Sequence, residues 1–252
     1  MKVAAIQHDI MWEDAAATCA HVDPMITQAA AEGAQLVVLT EMYSTGFSMD
    51  TDTIAEPVDG QSTQFLVDQA TRHGVWIGAS LPERPEGQRL PFNRFVLAAP
   101  DGTTHRYAKI HPFTYAREQE RFAAGDEHVT VDVDDTSCSL FVCYDLRFAD
   151  EFWAVAEQTH CYLVVANWPE SRRAHWRSLL VARAIENQAY VVGVNRVGSG
   201  GGLDYVGDSQ IVDPLGEVLV EATGEEAVLV ADVDRARVRE VREKFPFLAD
   251  RR

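Results

Sequence analysis

Short apolar runs alternate with longer amphipathic segments along most of the chain. The apolar runs have the length and residue types of buried strands, and several of the segments between them repeat their apolar positions with helical spacing. Strands are predicted at residues 3–7, 36–39, 75–81, 92–99, 103–110, 129–133, 137–142, 161–166, 190–195, 209–212 and 227–233. Helices are predicted at residues 13–32, 61–73, 148–158, 173–188 and 234–244.

Turn signals join some of these strands directly. Pro100-Asp101-Gly102 separates two strands as in a hairpin, and residues 134–136 and 213–216 give similar signals. Helices between other strands indicate sheets covered by helices, so we predict an α/β fold with mixed sheets. The pattern alone does not give the number of sheets. The glycine-rich residues 198–202 precede no helix, and we interpret them as a flexible loop rather than a dinucleotide-binding loop.

Three of the predicted strands end in residues that can take part in catalysis. The strand at 36–39 leads to Glu41, the strand at 103–110 contains Lys109 near its end, and the strand at 137–142 leads directly to Cys143. In layered α/β folds the carboxyl ends of strands converge on the functional crevice. Each residue alone has an ordinary explanation: a solvated loop glutamate, a surface lysine, a small core thiol. Their joint placement predicts a reaction site.

Composition and charge exclude several classes of partner. The chain is 46% hydrophobic and 24% charged, as in soluble globular proteins. Its formal net charge of −17 argues against nucleic acid and anionic membranes, because binding to either requires clustered Lys and Arg. The start of the chain soon becomes polar, and no apolar run reaches the roughly 18 residues of a membrane span. We therefore expect neither a signal peptide nor a membrane anchor, and a cytoplasmic protein.

The cysteines do not form a metal or disulfide pattern. Cys19, Cys138, Cys143 and Cys161 lack the paired spacing of a zinc site, and a chain of 252 residues with four cysteines is not a disulfide scaffold. We interpret Cys19, Cys138 and Cys161 as structural. A reducing cytoplasm would keep Cys143 as a free thiol.

The segments around the three candidate residues resemble the signatures of a known family. Residues 39–47 around Glu41, 107–111 around Lys109 and 142–148 around Cys143 are similar to the three motifs of the nitrilase (carbon–nitrogen hydrolase) superfamily. Further similarity is found at residues 3–7, 167–169, 182–188 and 207–209, so the resemblance covers nearly the whole chain. It implies an α-β-β-α sandwich, with two mixed sheets between helix layers, in a single domain of residues 1–252.

The resemblance also has implications for cofactors and assembly. It implies a homodimer or higher homo-oligomer, with a C-terminal tail from about residue 234 packing across the interface. The aromatic segment 148–155 is a second candidate for such an interface, although burial in the core of one chain explains its composition as well. No cofactor or metal is expected, because thiol, carboxylate and ammonium complete the chemistry.

The resemblance assigns a catalytic role to each residue. Cys143 would be the nucleophile and Glu41 the base that accepts its proton, because a free cysteine is mostly protonated near neutral pH. Lys109 and the backbone N–H of Tyr144 would stabilise the oxyanion. Glu118 would be the second glutamate of the family, which orients Lys109 and the water; Glu120 is the competing assignment. 

His111 is an alternative base, since it lies two residues from Lys109 and Cys–His pairs are common in thiol enzymes. The family pattern gives that role to glutamate, so we expect His111 to support the site or the fold.

Residues 143–148 followed by 167–169 most resemble the omega-amidase branch. This branch hydrolyses the terminal amide of 2-oxo acids such as 2-oxoglutaramate and 2-oxosuccinamate. Arg147 is the first candidate for binding the remote carboxylate of such a substrate, because a guanidinium can bind a carboxylate bidentately. A structural ion pair with Asp145 or with the following helix explains Arg147 equally well. 

Further residues are candidates for the substrate pocket. The cationic candidates are Arg172, Arg173 and His175, and the apolar walls are Tyr43, Phe47, Phe113 and Trp168.

Other functions remain open at this point. An N-carbamoyl amino acid amidohydrolase would also combine a thiol with an arginine that binds a carboxylate. Another aliphatic amidase, or a true nitrilase, would have a more apolar pocket. A non-catalytic binding module on the same fold is the alternative from another class. The set of Glu41, Lys109 and Cys143 argues against the last, because such a module has no physical need for all three.

Overall fold

The computed structural model describes residues 1–251, which form thirteen strands and six α-helices. The strands are β1 (Lys2–Gln7), β2 (Leu36–Val38), β3 (Trp76–Glu83), β4 (Phe92–Ala98), β5 (Thr104–Ala108), β6 (Thr130–Val133), β7 (Thr136–Val142), β8 (Cys161–Ala166), β9 (Tyr190–Asn195), β10 (Val197–Gly200), β11 (Leu203–Val212), β12 (Val218–Thr223) and β13 (Ala227–Asp232). The helices are α1 (Ala15–Ala31), α2 (Thr51–Ile54), α3 (Gln61–His73), α4 (Ala149–Ala154), α5 (Arg173–Asn187) and α6 (Arg235–Lys244).

The strands form two mixed sheets. The first has the order β13-β1-β2-β3-β4-β5, and the second has the order β10-β11-β9-β8-β7-β6 with β12 also paired to β11. In the first sheet β2, β3 and β5 run in the same direction, because β4 is antiparallel to both β3 and β5. In the second sheet β7, β8 and β9 are parallel. Within each sheet, the residues that follow these strands therefore lie at one edge.

The alternation of side chains along the strands divides the interior into two layers. In β1, Val3 and Ala5 point into the core between the two sheets, whereas Ala4 and Ile6 point toward α1 and α3. On the other side of the molecule α5 packs against β9 and β11. The architecture is therefore helix, sheet, sheet, helix, which confirms the predicted α-β-β-α sandwich.

The structure corrects two predictions of local structure. The glycine-rich segment 198–202 is not a flexible loop but the tip of a β-hairpin, in which Gly200 pairs with Leu203. Gly201 and Gly202 adopt φ values of 58° and 79°, which are the left-handed conformations that a tight hairpin turn requires. This hairpin extends β11 toward its start, and β12 is a further strand that was not predicted. The helix predicted at 148–158 ends at Ala154 and is followed by a 3₁₀ turn, Ala156–Gln158.

The C-terminal helix α6 is anchored on its own chain. Val238 and Val241 are buried, and the guanidinium of Arg242 donates hydrogen bonds to five backbone carbonyls. These carbonyls belong to Ala156, Glu157, Thr159, Asn187 and Gln188. The packing of this tail across an oligomer interface stays a prediction. Within residues 1–251, no helix is long and apolar enough to cross a membrane.

Replacing Arg242 by alanine tests this anchor. Because the variant leaves several partly buried carbonyls without a donor, we expect it to lower the free energy of unfolding by about 2 kcal/mol. Urea unfolding followed by circular dichroism measures the change. Arg239→Ala is the matched control, since Arg239 is exposed on the same helix. Equal stability of the two variants would contradict the role given to Arg242.

Candidate active site

A buried ammonium group between two carboxylates forms the centre of the site. Lys109 follows β5, and its Nζ lies 3.0 Å from Oε1 of Glu41 and 2.9 Å from Oε2 of Glu118. All three side chains are buried. Burial alone would lower the pKa of Lys109, but the charges of Glu118 and Glu41 outweigh it and raise the pKa above its ordinary value. The lysine is therefore cationic.

The structure distinguishes between the two candidates for the second glutamate. Both lie in a short 3₁₀ helix, Glu118–Glu120, in which residues two apart point in different directions. Glu118 faces inward to Lys109 and also accepts a hydrogen bond from the backbone N–H of Phe113 at 2.5 Å. Glu120 is exposed and pairs with Arg117. Glu118, not Glu120, therefore contacts the lysine.

Cys143 lies at the point where β7 turns sharply into the 3₁₀ helix Cys143–Arg147. Its φ of 46° is unusual for a residue with a side chain, and such strained conformations cluster at functional sites. The residue is half-buried and lines a pocket together with Glu41. Burial raises the pKa of the thiol, the charge of Glu41 raises it further, and Lys109 opposes this. The thiol is therefore protonated near neutral pH.

The turn after Cys143 is held by a buried carboxylate. Asp145 accepts hydrogen bonds from the backbone N–H groups of Val142 and His111, at 3.0 and 2.9 Å, and from the hydroxyl of Tyr107 at 2.8 Å. The N–H of Tyr144 lies in the first turn of the 3₁₀ helix, where an N–H group has no acceptor within the helix. It can therefore serve as a donor to a ligand.

Two asparagines hold Glu41 in place. Asn167 follows β8; its backbone N–H donates to Oε2 of Glu41 at 2.7 Å, and its side-chain amide donates to the backbone carbonyl of Glu41 at 2.5 Å. Asn93, in β4, donates from Nδ2 to Oε1 of Glu41 at 2.8 Å and to Oε1 of Glu118 at 3.2 Å. Asn93 was not predicted as a site residue. The sequence could have indicated it, because Asn93 lies two residues before Phe95 and therefore on the same, buried face of the strand.

The pocket above these residues is mainly apolar and carries two arginines. It contains about 490 Å³ of empty space, including its open mouth. Its lining residues are Glu41, Phe47, Phe113, Ala116, Cys143, Tyr144, Arg147, Asn167, Trp168, Pro169, Arg172, Leu203 and Tyr205. Of the predicted walls, Phe47, Phe113 and Trp168 are therefore in place, with Leu203 and Tyr205 in addition.

The two arginines lie against aromatic rings. The guanidinium carbon of Arg147 is 4.6 Å from the ring centre of Trp168, and that of Arg172 is 5.3 Å from the ring centre of Phe113. Across residues 1–251, neither forms an ion pair with an acidic side chain, so the structural ion pair considered for Arg147 is not present; its nearest polar partner is Nδ1 of His175 at 3.2 Å. Both charges are therefore available to a ligand.

Four other candidates lie outside the pocket, and one of them is His175, the partner of Arg147. Tyr43 was predicted as a pocket wall, and this is wrong: it belongs to the core beside α1 and α3, where its hydroxyl donates to the carbonyl of Ser62 at 2.7 Å. The residue before it, Met42, has a left-handed backbone conformation (φ 41°). Arg173 forms a bidentate pair with Asp208 instead of facing the pocket. 

Nε2 of His111 donates a hydrogen bond to the carboxylate of Glu151 at 2.7 Å, and its ring stacks on Phe148. It does not line the pocket. The remaining cysteines, Cys19, Cys138 and Cys161, are buried in the cores. Among residues 1–251, no group of three or more His, Cys, Asp or Glu side chains is arranged to hold a metal ion.

Comparisons with known proteins identify the family and the fold. The family model for carbon–nitrogen hydrolase matches residues 2–243. The omega-amidase YafV of Escherichia coli is 37% identical over 253 residues, which cover 99% of this chain and 96% of that protein. The 2-oxoglutaramate amidase of Bacillus subtilis is 35% identical, covering 86% of this chain and 85% of its own length. A crystal structure of a Xanthomonas campestris superfamily protein, with an arsenic adduct in its active site, superposes with a TM-score of 0.95 at 35% identity, covering 100% and 97% of the two chains.

The raised pKa of Cys143 predicts how the thiol reacts. We expect the rate of its labelling by iodoacetamide, followed by peptide mass spectrometry, to keep rising beyond about pH 9. In Glu41→Gln the loss of the negative charge lowers the thiol pKa, so the inflection of labelling moves to lower pH. Glu120→Gln is the control and leaves the profile unchanged. A plateau of labelling near pH 7 in the unaltered protein would contradict the assignment.

Proposed function

This chain belongs to the carbon–nitrogen hydrolase family, and we propose that it is an omega-amidase that hydrolyses the terminal amide of a 2-oxo acid such as 2-oxoglutaramate. The names of the Escherichia coli and Bacillus subtilis relatives support this substrate class. The observation that carries the proposal is the Cys143 thiol beside a buried carboxylate–ammonium–carboxylate cluster, in a pocket that also holds two arginines with no acidic partner among residues 1–251.

In the first half of the proposed reaction Cys143 becomes acylated. Glu41 accepts the thiol proton as sulfur attacks the amide carbonyl, and the resulting oxyanion is stabilised by Lys109 and the N–H of Tyr144. Glu41 then returns the proton to the nitrogen, the C–N bond breaks, and ammonia leaves. The raised thiol pKa fits this order of events, because the proton leaves sulfur only as the new bond forms.

Water completes the second half of the reaction. Glu41 takes a proton from a water molecule that attacks the thioester carbonyl, and the same two donors stabilise the second oxyanion. The C–S bond then breaks, Cys143 recovers its proton, and the carboxylic acid is released. Glu118 orients Lys109 throughout, since it accepts from Nζ through both carboxylate oxygens at 3.2 and 2.9 Å.

Substrate recognition is assigned to the outer part of the pocket. Arg147 binds the carboxylate of the substrate remote from the scissile amide, and Arg172 lies on the same pocket with its own free charge. Phe47, whose ring centre is 5.3 Å from Nζ of Lys109, forms the apolar wall nearest to the cluster. Phe113 and Trp168 complete the walls and hold the two guanidinium groups by cation–π contacts.

We propose further that the protein acts as a homodimer or higher oligomer in a reducing compartment such as the cytoplasm. All four cysteines are free thiols, and Cys143 must stay reduced to react. Exposed aromatic side chains support an interface that includes the tail: Trp153 on α4, with Arg251 against its ring, and Phe245 and Phe247 after α6. 

A panel of substrates tests the proposed activity. We expect ammonia release to be fastest with 2-oxoglutaramate, and slower or absent with glutamine, an N-carbamoyl amino acid and an aliphatic nitrile. Mass spectrometry of the quenched reaction should detect a thioester on Cys143, and Cys143→Ala should release no ammonia. Carbon dioxide released with ammonia from the carbamoyl compound, at a higher rate than omega-amide hydrolysis, would instead establish the N-carbamoyl alternative.

The carboxylate-binding role of Arg147 is tested by Arg147→Met, which keeps an unbranched apolar stem and removes the charge. Loss of a charge-assisted pair of hydrogen bonds lowers kcat/KM for 2-oxoglutaramate by about 10- to 100-fold, mainly through KM. An uncharged aliphatic amide is the internal control, because its hydrolysis does not use the guanidinium. Equal losses of kcat/KM with both substrates would show that Arg147 supports the fold of the pocket and does not bind the carboxylate.

A further inference from the structure

Asn93 touches the catalytic cluster from a strand that carries none of the proposed catalytic residues. It lies in β4, on the face that also points Phe95 and Leu97 into the core between the sheets. It is buried, so its amide must find partners inside the protein. Its backbone carbonyl accepts the N–H of Lys109 at 3.0 Å, which fixes the start of the lysine side chain relative to Asn93.

A one-way chain of hydrogen bonds sets the orientation of the Asn93 amide. The backbone N–H of Met42 donates to Oγ of Ser80 at 2.9 Å, so the hydroxyl proton of Ser80 is free to point to Oδ1 of Asn93, 2.8 Å away. Nδ2 is therefore the atom that faces the two glutamates. In the reversed orientation Oδ1 of Asn93 would face two carboxylates, which repel it. Its Nδ2 would then face the Ser80 hydroxyl, which is a weaker acceptor than a carboxylate.

Nδ2 of Asn93 donates to the two carboxylates of the cluster, which carries more negative than positive charge. Two carboxylates and one ammonium leave one surplus negative charge in a buried site, and the two carboxylates repel each other. Nδ2 has two hydrogens and lies 2.8 Å from Oε1 of Glu41 and 3.2 Å from Oε1 of Glu118. A neutral donor to both groups stabilises their ionised forms without adding a charge.

We propose that Asn93 is a positioning residue that keeps Glu41 and Glu118 ionised together at neutral pH, so that Glu41 is free to take a proton. This inference rests on the proposed function, in which Glu41 acts as the base. It concerns the charge of the pair, and the other charged or titratable groups that face it are Lys109, Cys143 and Tyr205.

The pH dependence of kcat/KM for Asn93→Ala tests the proposal. Removing the donor takes one hydrogen bond from each ionised carboxylate, so the acidic limb of the profile moves up by about one pH unit. At neutral pH kcat/KM falls by about tenfold, and it recovers toward the wild-type value as the pH rises. Asn93→Asp, which has nearly the same shape, adds a third carboxyl group and moves the limb further. Ser80→Ala, which frees the amide to rotate, gives a smaller shift in the same direction.

Asn187→Ala is the matched control, since Asn187 is also a buried amide but donates to the carbonyl of Arg183 on α5. Asn187→Ala should lower the stability of the protein and leave the acidic limb of the kcat/KM profile where it is in the wild type. Glutamate labelled with ¹³C at the carboxyl carbon gives a readout that does not need activity: the resonances missing from Glu41→Gln and Glu118→Gln should titrate at higher pH in Asn93→Ala. 

Superimposable limbs and unshifted resonances in the folded Asn93 variants would overturn the proposal. Absence of amide hydrolysis by the unaltered protein would instead overturn the proposed function, while the carboxyl titration still decides the role of Asn93.

Discussion

The contact on which the site depends is the burial of the Lys109 ammonium between Glu41 and Glu118. A charged group removed from water is costly unless opposite charges and hydrogen bonds replace its hydration. Two carboxylates do this for the lysine and create a surplus negative charge of their own. That surplus is met by neutral donors: the side chain of Asn93 and the backbone N–H groups of Phe113 and Asn167.

The partners of this cluster come from both sheets, and the topology explains how they meet. Like-directed strands bring Glu41 after β2 and Lys109 after β5 to one edge of the first sheet. Parallel β7 and β8 bring Cys143 and Asn167 to one edge of the second. The hydrogen bond from Asn167 to Glu41 joins the two edges directly. The site is therefore complete only when the two sheets pack face to face.

The sequence predicted best those elements whose causes are local. Strands β8 and β9 and helix α3 occupy the predicted residues, because the strands are continuous apolar runs and Gly74 ends the helix in a left-handed conformation (φ 66°). The positions of the residues that follow strand ends were predicted equally well, since the position of Cys143 or Lys109 depends on where its own strand ends.

Features that depend on distant partners were not predictable in the same way. Asn93 is one of two polar residues in β4, and the partners of its side chain are not its neighbours along the chain. The choice between Glu118 and Glu120 depends on the phase of a single 3₁₀ turn, which residue spacing does not give. Tyr43 was predicted as a pocket wall but lies in the core beside α1 and α3, because the direction of its side chain depends on backbone conformation, such as the positive φ of Met42, which the residue pattern does not give.

The pairing of β1 with β13 also affects how the chain folds during synthesis. This antiparallel pair joins Lys2 to Asp232, so one side of β1 has no strand partner until nearly all of the chain has left the ribosome. Contacts of such sequence separation raise the contact order of a fold, and proteins of high contact order fold more slowly than those built from neighbouring segments. The central parallel strands β7, β8 and β9, by contrast, can pair as soon as they emerge. Completion of the sheet that carries the base and the lysine thus requires the last strand of the chain, whereas the parallel core of the sheet that carries the thiol needs no strand after β9.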